Sequence, residues 1–451
     1  MRTALLILAL APGCVLAQTP PIQPQTPPIT VPPPIDLPSF VPEDERLGQP
    51  LTADEAVAIA LRSQASLAVA AANVEAARGR TQQTRSQLLP QFSATGGYTR
   101  QESLSGAASS QLGGGSTNSF TAGLSVNQLL FDFGRTRDQV RQQQALERVS
   151  AQNLGTAEQQ VVFQVRQTFQ TYAEAVQLLT VSQDNVRNRQ RQLDLAQARL
   201  NVGLGAPGDV VRARTTLADS VSALVAARNL ATDTRVALAN AMGVDPRTPI
   251  NPSPTAEPAP ALELERLVST ALEQRPEILA QREQINAARL GVSVANKTNA
   301  PRVGLTAGIG TRGQDQPFDS QTGTIGVSLT WPFGDSGLTS GRRREARAQE
   351  EAARAQLTVT SNTVVSEVST AYLDLLHAEQ RVTTAQEQVA NARELVRISE
   401  GRYEGGIGTF LEVTDAQASL FAAERNLTAA VADVQQARTA LNRAIGAYVR
   451  R

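Results

Sequence analysis

Glu412 and Asp415 stand three residues apart, directly after the glycine-broken start of the stretch RYEGGIGTFLEVTDAQ (Arg402–Gln417). On a helix that spacing points both carboxylates the same way. Such a pair could hold or select a cation, or it could be two solvated acids in a helix's first turn, where the helix dipole favours them. Little else in the 451 residues offers chemistry. One histidine, His377, and one cysteine, Cys14, leave no ligand set for zinc and no Cys–His or Ser–His nucleophile. The 42 basic and 42 acidic side chains balance, without the basic excess of a nucleic-acid surface. No motif implies a cofactor or a metal, and no enzymatic activity is expected. GLTAGIG (Gly304–Gly310) reads as a strand with alternating glycines, because no helix N-terminus follows closely enough to cradle phosphate.

The acids sit in a turn the chain makes twice. RLNVGLGAPGDVVRAR (Arg199–Arg214) lays Arg199 on Arg402, Gly203 on Gly406, Gly205 on Gly408 and Asp209 on Glu412, while Arg212 stands where the second copy has Asp415. The duplication extends well beyond the turns. ALRSQASL (Ala60–Leu67) matches ALEQRPEI (Ala271–Ile278) at an offset of 211, and from Phe131 onward the offset is 203, with Phe169 on Tyr372. The difference falls where the first copy carries SGAASSQLGGGSTNS, an insertion that a hairpin loop tolerates.

Each copy predicts the same elements. A helix (about 53–88, about 264–299) is closed by Pro90 or Pro301. Two strands follow (91–102 and 119–131; 302–312 and 322–333), then a very long helix (about 135–201, about 342–404). The glycine turn leads into a returning helix of about 35 residues (209–242, 412–445). Sixty-odd helical residues span about 100 Å. The strands alternate: Ile325, Val327, Leu329 and Trp331 share one face, while Gly326, Ser328 and Thr330 share the other. That pattern fits a β-sandwich and equally a membrane barrel with lipid outside and water inside. The segments have the length of tilted membrane strands, but four strands cannot close a barrel, so a membrane reading requires several chains to share one. The returning helices carry a large–small seam, Leu420, Ala423, Leu427, Ala430, Val434, Ala437, Leu441 and Ala444, echoed from Leu217 to Ala241. Such heptads predict close coiled-coil packing.

The segments outside the repeats are simpler. Residues 1–17 read as a secretory signal peptide, with lipidation at Cys14 as the alternative. Residues 18–50 form a Pro-rich extended arm, and 244–261 a Pro-rich linker between the repeats at 51–243 and 262–446. A short tail, 447–451, ends the chain.

Signal peptide, then twice the order helix, strand pair, long helix, glycine turn and return helix: this organisation resembles the TolC family of outer-membrane export ducts. The resemblance runs from about Leu51 to Gly446 and is most specific at GRYEGGIGTFLEVTDAQ. It implies a mainly α fold with a small β part, in which three chains build a twelve-stranded barrel and an α-helical periplasmic tunnel. It further implies an outer-membrane homotrimer that gives passive exit to substrates delivered by an inner-membrane pump and a periplasmic adaptor, in efflux or type I secretion. Under it, Glu412, Asp415, Asp209 and Tyr403 belong to a periplasmic gate. The tip turns Gly203-Leu204-Gly205 and Gly406-Ile407-Gly408 meet the adaptor, and Gly408 replaces a basic latch residue found in some members. The glycines, Gly208 and Gly405 included, are expected to supply left-handed or close-approach backbone.

Other features keep two readings. Trp331 and Phe333 are interfacial aromatics at the outer-membrane lipid or buried core. GRRRE (Gly341–Glu345) is a basic collar below the barrel that meets lipid headgroups, or a solvated helix start; His377 is a helix-interface histidine or a pH sensor. The alternative for the whole chain is a secreted structural coiled-coil fibre without a channel. That reading leaves the bilayer-length strands without a use.

Overall fold

The computed structural model describes residues 50–102, 116–253, 263–314 and 320–448. The predicted signal peptide, Cys14, nearly all of the arm, the second part of the linker (254–261) and the end of the tail lie outside them. Two short strands, β1 (Pro50–Leu51) and β4 (Asn251–Pro252), pair in parallel. The middle of the linker therefore pairs with the junction of arm and first repeat, Ser253 N donating to the Leu51 carbonyl at 2.8 Å, a contact that the proline content of both segments does not announce.

Between them runs the first repeat: α1 (Ala53–Ser63), α2 (Ala65–Ser86), β2 (Gln91–Glu102), β3 (Ser116–Phe131), α3 (Arg135–Asn201) and α4 (Pro207–Met242). The second repeat follows as α5 (Leu264–Gln274), α6 (Pro276–Asn296), β5 (Arg302–Gln314), β6 (Ser320–Thr330), α7 (Leu338–Glu404) and α8 (Phe410–Ala444). α3 and α7 have 67 residues each, so both reach about 100 Å. No single helix among the described residues is long and apolar enough to cross a membrane.

Each repeat's first helix, expected to be continuous, is broken. In the second copy Pro276 forces Arg275 out of helical backbone (φ −65°, ψ 128°). In the first copy no proline is present, yet Gln64 takes the same extended conformation, and α1 and α2 meet at a bend of 49°. Both breaks bring a side chain to the end of a returning helix. Gln64 Nε2 donates to the Ala241 carbonyl at 3.0 Å, and the Arg275 guanidinium donates to the equivalent Ala444 carbonyl at 3.5 Å and to Glu367 at 2.5 Å. These bonds satisfy carbonyls that the helix end leaves open.

The strands form one antiparallel sheet in the order β2-β3-β5-β6. Gln91 pairs with Asn127, Asn127 with Thr306, and Arg302 with Thr330. β2 and β6 are its two unpaired edges. One face carries Phe92, Val126, Ile309, Ile325, Val327 and Leu329, with Ile325 81% exposed. The other carries small polar groups laced across strands, such as Ser93 to Ser125 at 2.7 Å and Thr306 to Asn127 at 3.2 Å. β6 ends at Thr330, so Trp331 and Phe333 follow the last strand instead of closing it. Both are exposed, with ring centroids 6.0 Å apart.

The sheet joins the long helices through a corner built twice. Asp132 accepts from the Gly134 and Thr136 amides at 3.0 and 2.7 Å, and Asp335 accepts from Gly337 and Thr339 at 3.2 and 2.9 Å. Gly134 (φ 78°) and Gly337 (φ 94°) turn the chain. Below the corners α3 packs on α4 and α7 on α8, with the seam residues Leu217, Leu224, Leu238, Ala423, Val434 and Leu441 buried. One core gathers Phe169, Leu238 and Met242, and another gathers Ile278, Leu375 and Leu441. α3 also packs on α6 and α8, fastening the two repeats together.

Candidate functional site at the helical tip

At the far end of the helices the two turns have equivalent backbones. Gly203 (φ 78°) and Gly406 (φ 76°) follow the long helices in left-handed conformation. Leu204 N then bonds to Arg199 O at 2.8 Å, and Ile407 N to Arg402 O at 3.0 Å, which is Schellman closure. Gly205 and Gly408 serve close approach: a Cβ would lie 2.9 Å from Leu200 N at the first and 2.9 Å from Arg402 Cβ at the second. The other two expected glycines differ. Gly405 ends α7 in ordinary helical backbone (φ −71°), where a Cβ would press on the Gly401 carbonyl oxygen at 3.3 Å, and Gly208 does neither, sitting in the first turn of α4 with open space where a Cβ would go. Leu204 and Ile407 project into solvent, about three-quarters exposed.

α8 begins at Thr409, whose hydroxyl accepts from the Glu412 amide at 3.3 Å and contacts the Glu412 carboxylate at 3.3 Å. Glu412 also faces Arg402 Nε at 3.4 Å across the turn. Val413, Thr414, Ala416 and Gln417 are buried, whereas Glu412 and Asp415 are exposed. The burial pattern therefore leaves the paired acids together on the open side of α8. On α4 Asp209 is half-exposed and Arg212 exposed.

Tyr403 is buried, its ring 5.7 Å from Phe410 in an edge-on arrangement. Arg199 lies over the same ring at 4.6 Å and donates to the Tyr403 carbonyl at 2.8 Å. The Tyr403 hydroxyl makes no hydrogen bond. Burial and then the Asp209 charge hold its pKa above the usual phenol value, against Arg199. Asp209 is thus close enough for its charge to be felt, but it is not a hydrogen-bonded partner. Two cross-hairpin residues escaped the sequence reading. The sequence offers Arg199 only as a match to Arg402, and Arg189, buried on α3, donates to the Thr414 carbonyl of α8 at 3.4 Å. Beside them Glu400 accepts from Gln417 at 2.7 Å, lining a cleft of about 310 Å³ between the hairpins.

A sheet with one apolar and one polar face, carried on two hairpins about 100 Å long, defines the channel-tunnel class of membrane duct. The model of the family described as Outer membrane efflux protein matches residues 56–244 and 267–447, one match for each repeat. The chain is 30% identical to the outer membrane efflux protein BepC of Brucella suis over 332 residues, 72% of each chain. It is 26% identical to the outer membrane protein TolC of Escherichia coli, over 81% of this chain and 76% of that one. The crystal structure of the outer membrane protein VceC of Vibrio cholerae superposes with a TM-score of 0.75 at 22% identity, covering 87% of this chain and 96% of VceC. The chain belongs to the outer membrane efflux protein family. It is an outer-membrane protein whose fold joins a β-barrel to an α-helical tunnel, and its family is one of efflux ducts, not enzymes.

Proposed function

We propose that three copies close one twelve-stranded barrel and one helical tunnel, and that the tunnel's tip is a gate. Substrates delivered by an inner-membrane pump through a periplasmic adaptor then leave passively. The four-stranded sheet with two unpaired edges supports the sharing of a barrel, because four strands are too few to enclose a lumen. The observation that carries the gate is the joint exposure of Glu412 and Asp415 on a helix whose other side is packed. Repeated by threefold symmetry they form two acidic rings, which select cations and repel one another when close-set. Arg199 on Tyr403 ties the two hairpins of each copy at this level. Leu204 and Ile407 offer the adaptor an apolar tip framed by glycines. The lipid-facing sheet gives the fibre reading nothing to use.

The test is single-channel conductance of the detergent-extracted protein in a planar bilayer, wild type beside Glu412→Ala/Asp415→Ala. A small, cation-preferring conductance that enlarges or loses its preference in the variant places the gate at these acids. An unchanged variant moves the gate elsewhere, and a wild type that never conducts removes the duct.

A further inference from the structure

The cleft between the hairpins at the tip is walled by α3 on one side and by α7 and α8 on the other. Three of the side chains that line it, Gln192, Gln417 and Tyr403, are no more than 8% exposed. Each carries a polar atom that no other group of the protein meets: Gln192 Nε2, Gln417 Oε1 and the Tyr403 hydroxyl. Buried polar groups are nearly always hydrogen-bonded, so three orphaned atoms around one cleft mark a place suited to a polar guest.

The other end of each amide decides what its free end is. Arg189 can only donate, and its Nη1 lies 3.3 Å from Gln192 Oε1, so the free end of Gln192 is its nitrogen. The Glu400 carboxylate accepts from Gln417 Nε2 at 2.7 Å, so the free end of Gln417 is its oxygen. A bond to a charged group polarises the amide that makes it. The Arg189 cation thus strengthens Gln192 Nε2 as a donor, and the Glu400 anion strengthens Gln417 Oε1 as an acceptor. Among the charged residues of the lining, Glu424 is paired with Arg393 at 3.2 Å, which leaves Glu400 and Glu404 against Arg191 alone. The cleft therefore asks for a cationic donor on the α7–α8 side and an acceptor oxygen on the α3 side.

We propose that this cleft binds a small amine that also carries hydroxyl or carbonyl oxygen, and that the bound amine clamps the two hairpins together. Its ammonium donates to Gln417 Oε1 beside the Glu400 carboxylate, and its oxygens accept from Gln192 Nε2 and the Tyr403 hydroxyl. Terminal amides turn easily about their last torsion, so the covered atoms reach the ligand without a backbone shift. A volume of about 310 Å³ lies at the lower end of small-molecule pockets, the size of an amino sugar or amino alcohol and not of an extended peptide. Gln192 belongs to the first hairpin, and Gln417 and Tyr403 to the second. A ligand held by both binds the joined hairpins better than the parted ones, and so favours the closed tip. The binding stands on the tip's geometry alone, whereas its effect on permeation rests on the gate proposed above.

Isothermal titration calorimetry on the full-length, detergent-extracted protein tests the site, with glucosamine as the probe. Glucose lacks the ammonium and cyclohexylamine lacks the oxygens, so each should bind about tenfold or more weakly than glucosamine. Gln192→Met removes the donor and Gln417→Met the acceptor at similar volume, and either should weaken glucosamine about tenfold. Tyr403→Phe removes only the hydroxyl and keeps the ring beside Phe410, so a weakening there separates lost binding from lost folding. In planar bilayers glucosamine should lower the open probability of wild type but not of Gln417→Met. No binding to wild type, equal binding of the three probes, or unchanged affinity in all three variants overturns the site while leaving the duct. Binding that leaves the conductance unaltered overturns the clamp. A wild type that binds with these preferences yet never conducts removes the duct and keeps the site.

Discussion

Arg199, from the first hairpin, lies over the ring of Tyr403, from the second, with its guanidinium carbon 4.6 Å from the ring centroid and one N–H on the Tyr403 carbonyl at 2.8 Å. The contact joins the two halves of the duplication at the tip, between residues 204 positions apart. It sits beside Phe410, which opens the helix carrying Glu412 and Asp415. Any movement that widens the tip by parting the hairpins must break it.

Replacing Arg199 with alanine should therefore favour the open tip by about 1–2 kcal/mol, from the cation–π contact and a charge-assisted hydrogen bond together. The expected outcome is a larger or more often open single-channel conductance, with the barrel's thermal stability unchanged. Arg199→Lys keeps the charge but loses the planar stacking, and should fall between the two. A conductance indistinguishable from wild type in Arg199→Ala would mean the hairpins do not part at this contact.

The tip glycines separate by conformation, and so should their alanine variants. At Gly408 a Cβ would lie 3.0 Å from Tyr403 N and the Arg402 carbonyl carbon, and at Gly406 φ is 76°. Alanine at either should cost about 1–2 kcal/mol. Gly208 is helical with open space around it, so alanine there should stabilise α4 by about 0.5–1 kcal/mol. Protease sensitivity of the tip loops, read as cleavage rate at the neighbouring arginines, orders the three variants. Equal sensitivity across them would contradict the assignment.

A pH effect is expected where α3 meets α8. Burial, and then the charge of Asp433, raises the pKa of Glu174 above the ordinary carboxylate value. Asp433 is itself paired with Arg381 at 3.0 Å. A carboxyl whose pKa is higher in the folded state stabilises the fold when protonated, and that contribution is lost as pH rises through the folded value. The helix contact should thus tighten as pH falls toward the upper edge of the carboxylate range. Glu174→Gln should remove this dependence and raise stability at pH 7 by no more than about 1 kcal/mol, because the group is half-exposed. Thermal melts of both proteins at pH 5 and 7 decide it; parallel shifts would assign the pH effect to other groups.

Much of this architecture was legible in the sequence, for reasons that vary by element. The strand β2 and the helix α3 have the predicted ends, because Pro90, Gly134 and the glycine turn punctuate them unambiguously. The break at Arg275 is signalled by Pro276, yet the equivalent break at Gln64 has no local signal; it is set by the fit of Gln64 onto the end of α4. The corner motif was readable and missed: DFGRT and DSGLT stand 203 apart, with the capping Asp, the turning Gly and the capped Thr in register. That Glu412 and Asp415 share one side of α8 follows from helical spacing. The tie between Arg199 and Tyr403 does not, since it depends on how two hairpins distant in sequence lie against each other.

In the shared barrel proposed above, the duplication also predicts how one copy should meet the next. The offsets of 203 and 211 carry the β2–β3 pair Gln91–Asn127 onto the β5–β6 pair Arg302–Thr330, which is the register the sheet has. Applied to the central pair Leu124–Ile309 of β3 and β5, the same offsets place Val327 of β6 opposite Tyr98 on β2 of the next copy, with Gly326 opposite Thr99. Opposite residues on antiparallel strands have Cβ atoms about 4.5–5.5 Å apart, closest in the non-hydrogen-bonded pairs. Cysteines at one of these two pairs should therefore form an intermolecular disulfide with little strain. Expressed to the outer membrane and oxidised, Val327→Cys/Tyr98→Cys or Gly326→Cys/Thr99→Cys should run on a non-reducing gel as covalent dimers and trimers. The control Val327→Cys/Arg100→Cys, two residues out of register, should stay monomeric. Cross-linking of the control with neither in-register pair would mean the interface does not repeat the intrachain geometry. The strand register between copies would then follow the closure of the barrel instead of the ancestral hairpin.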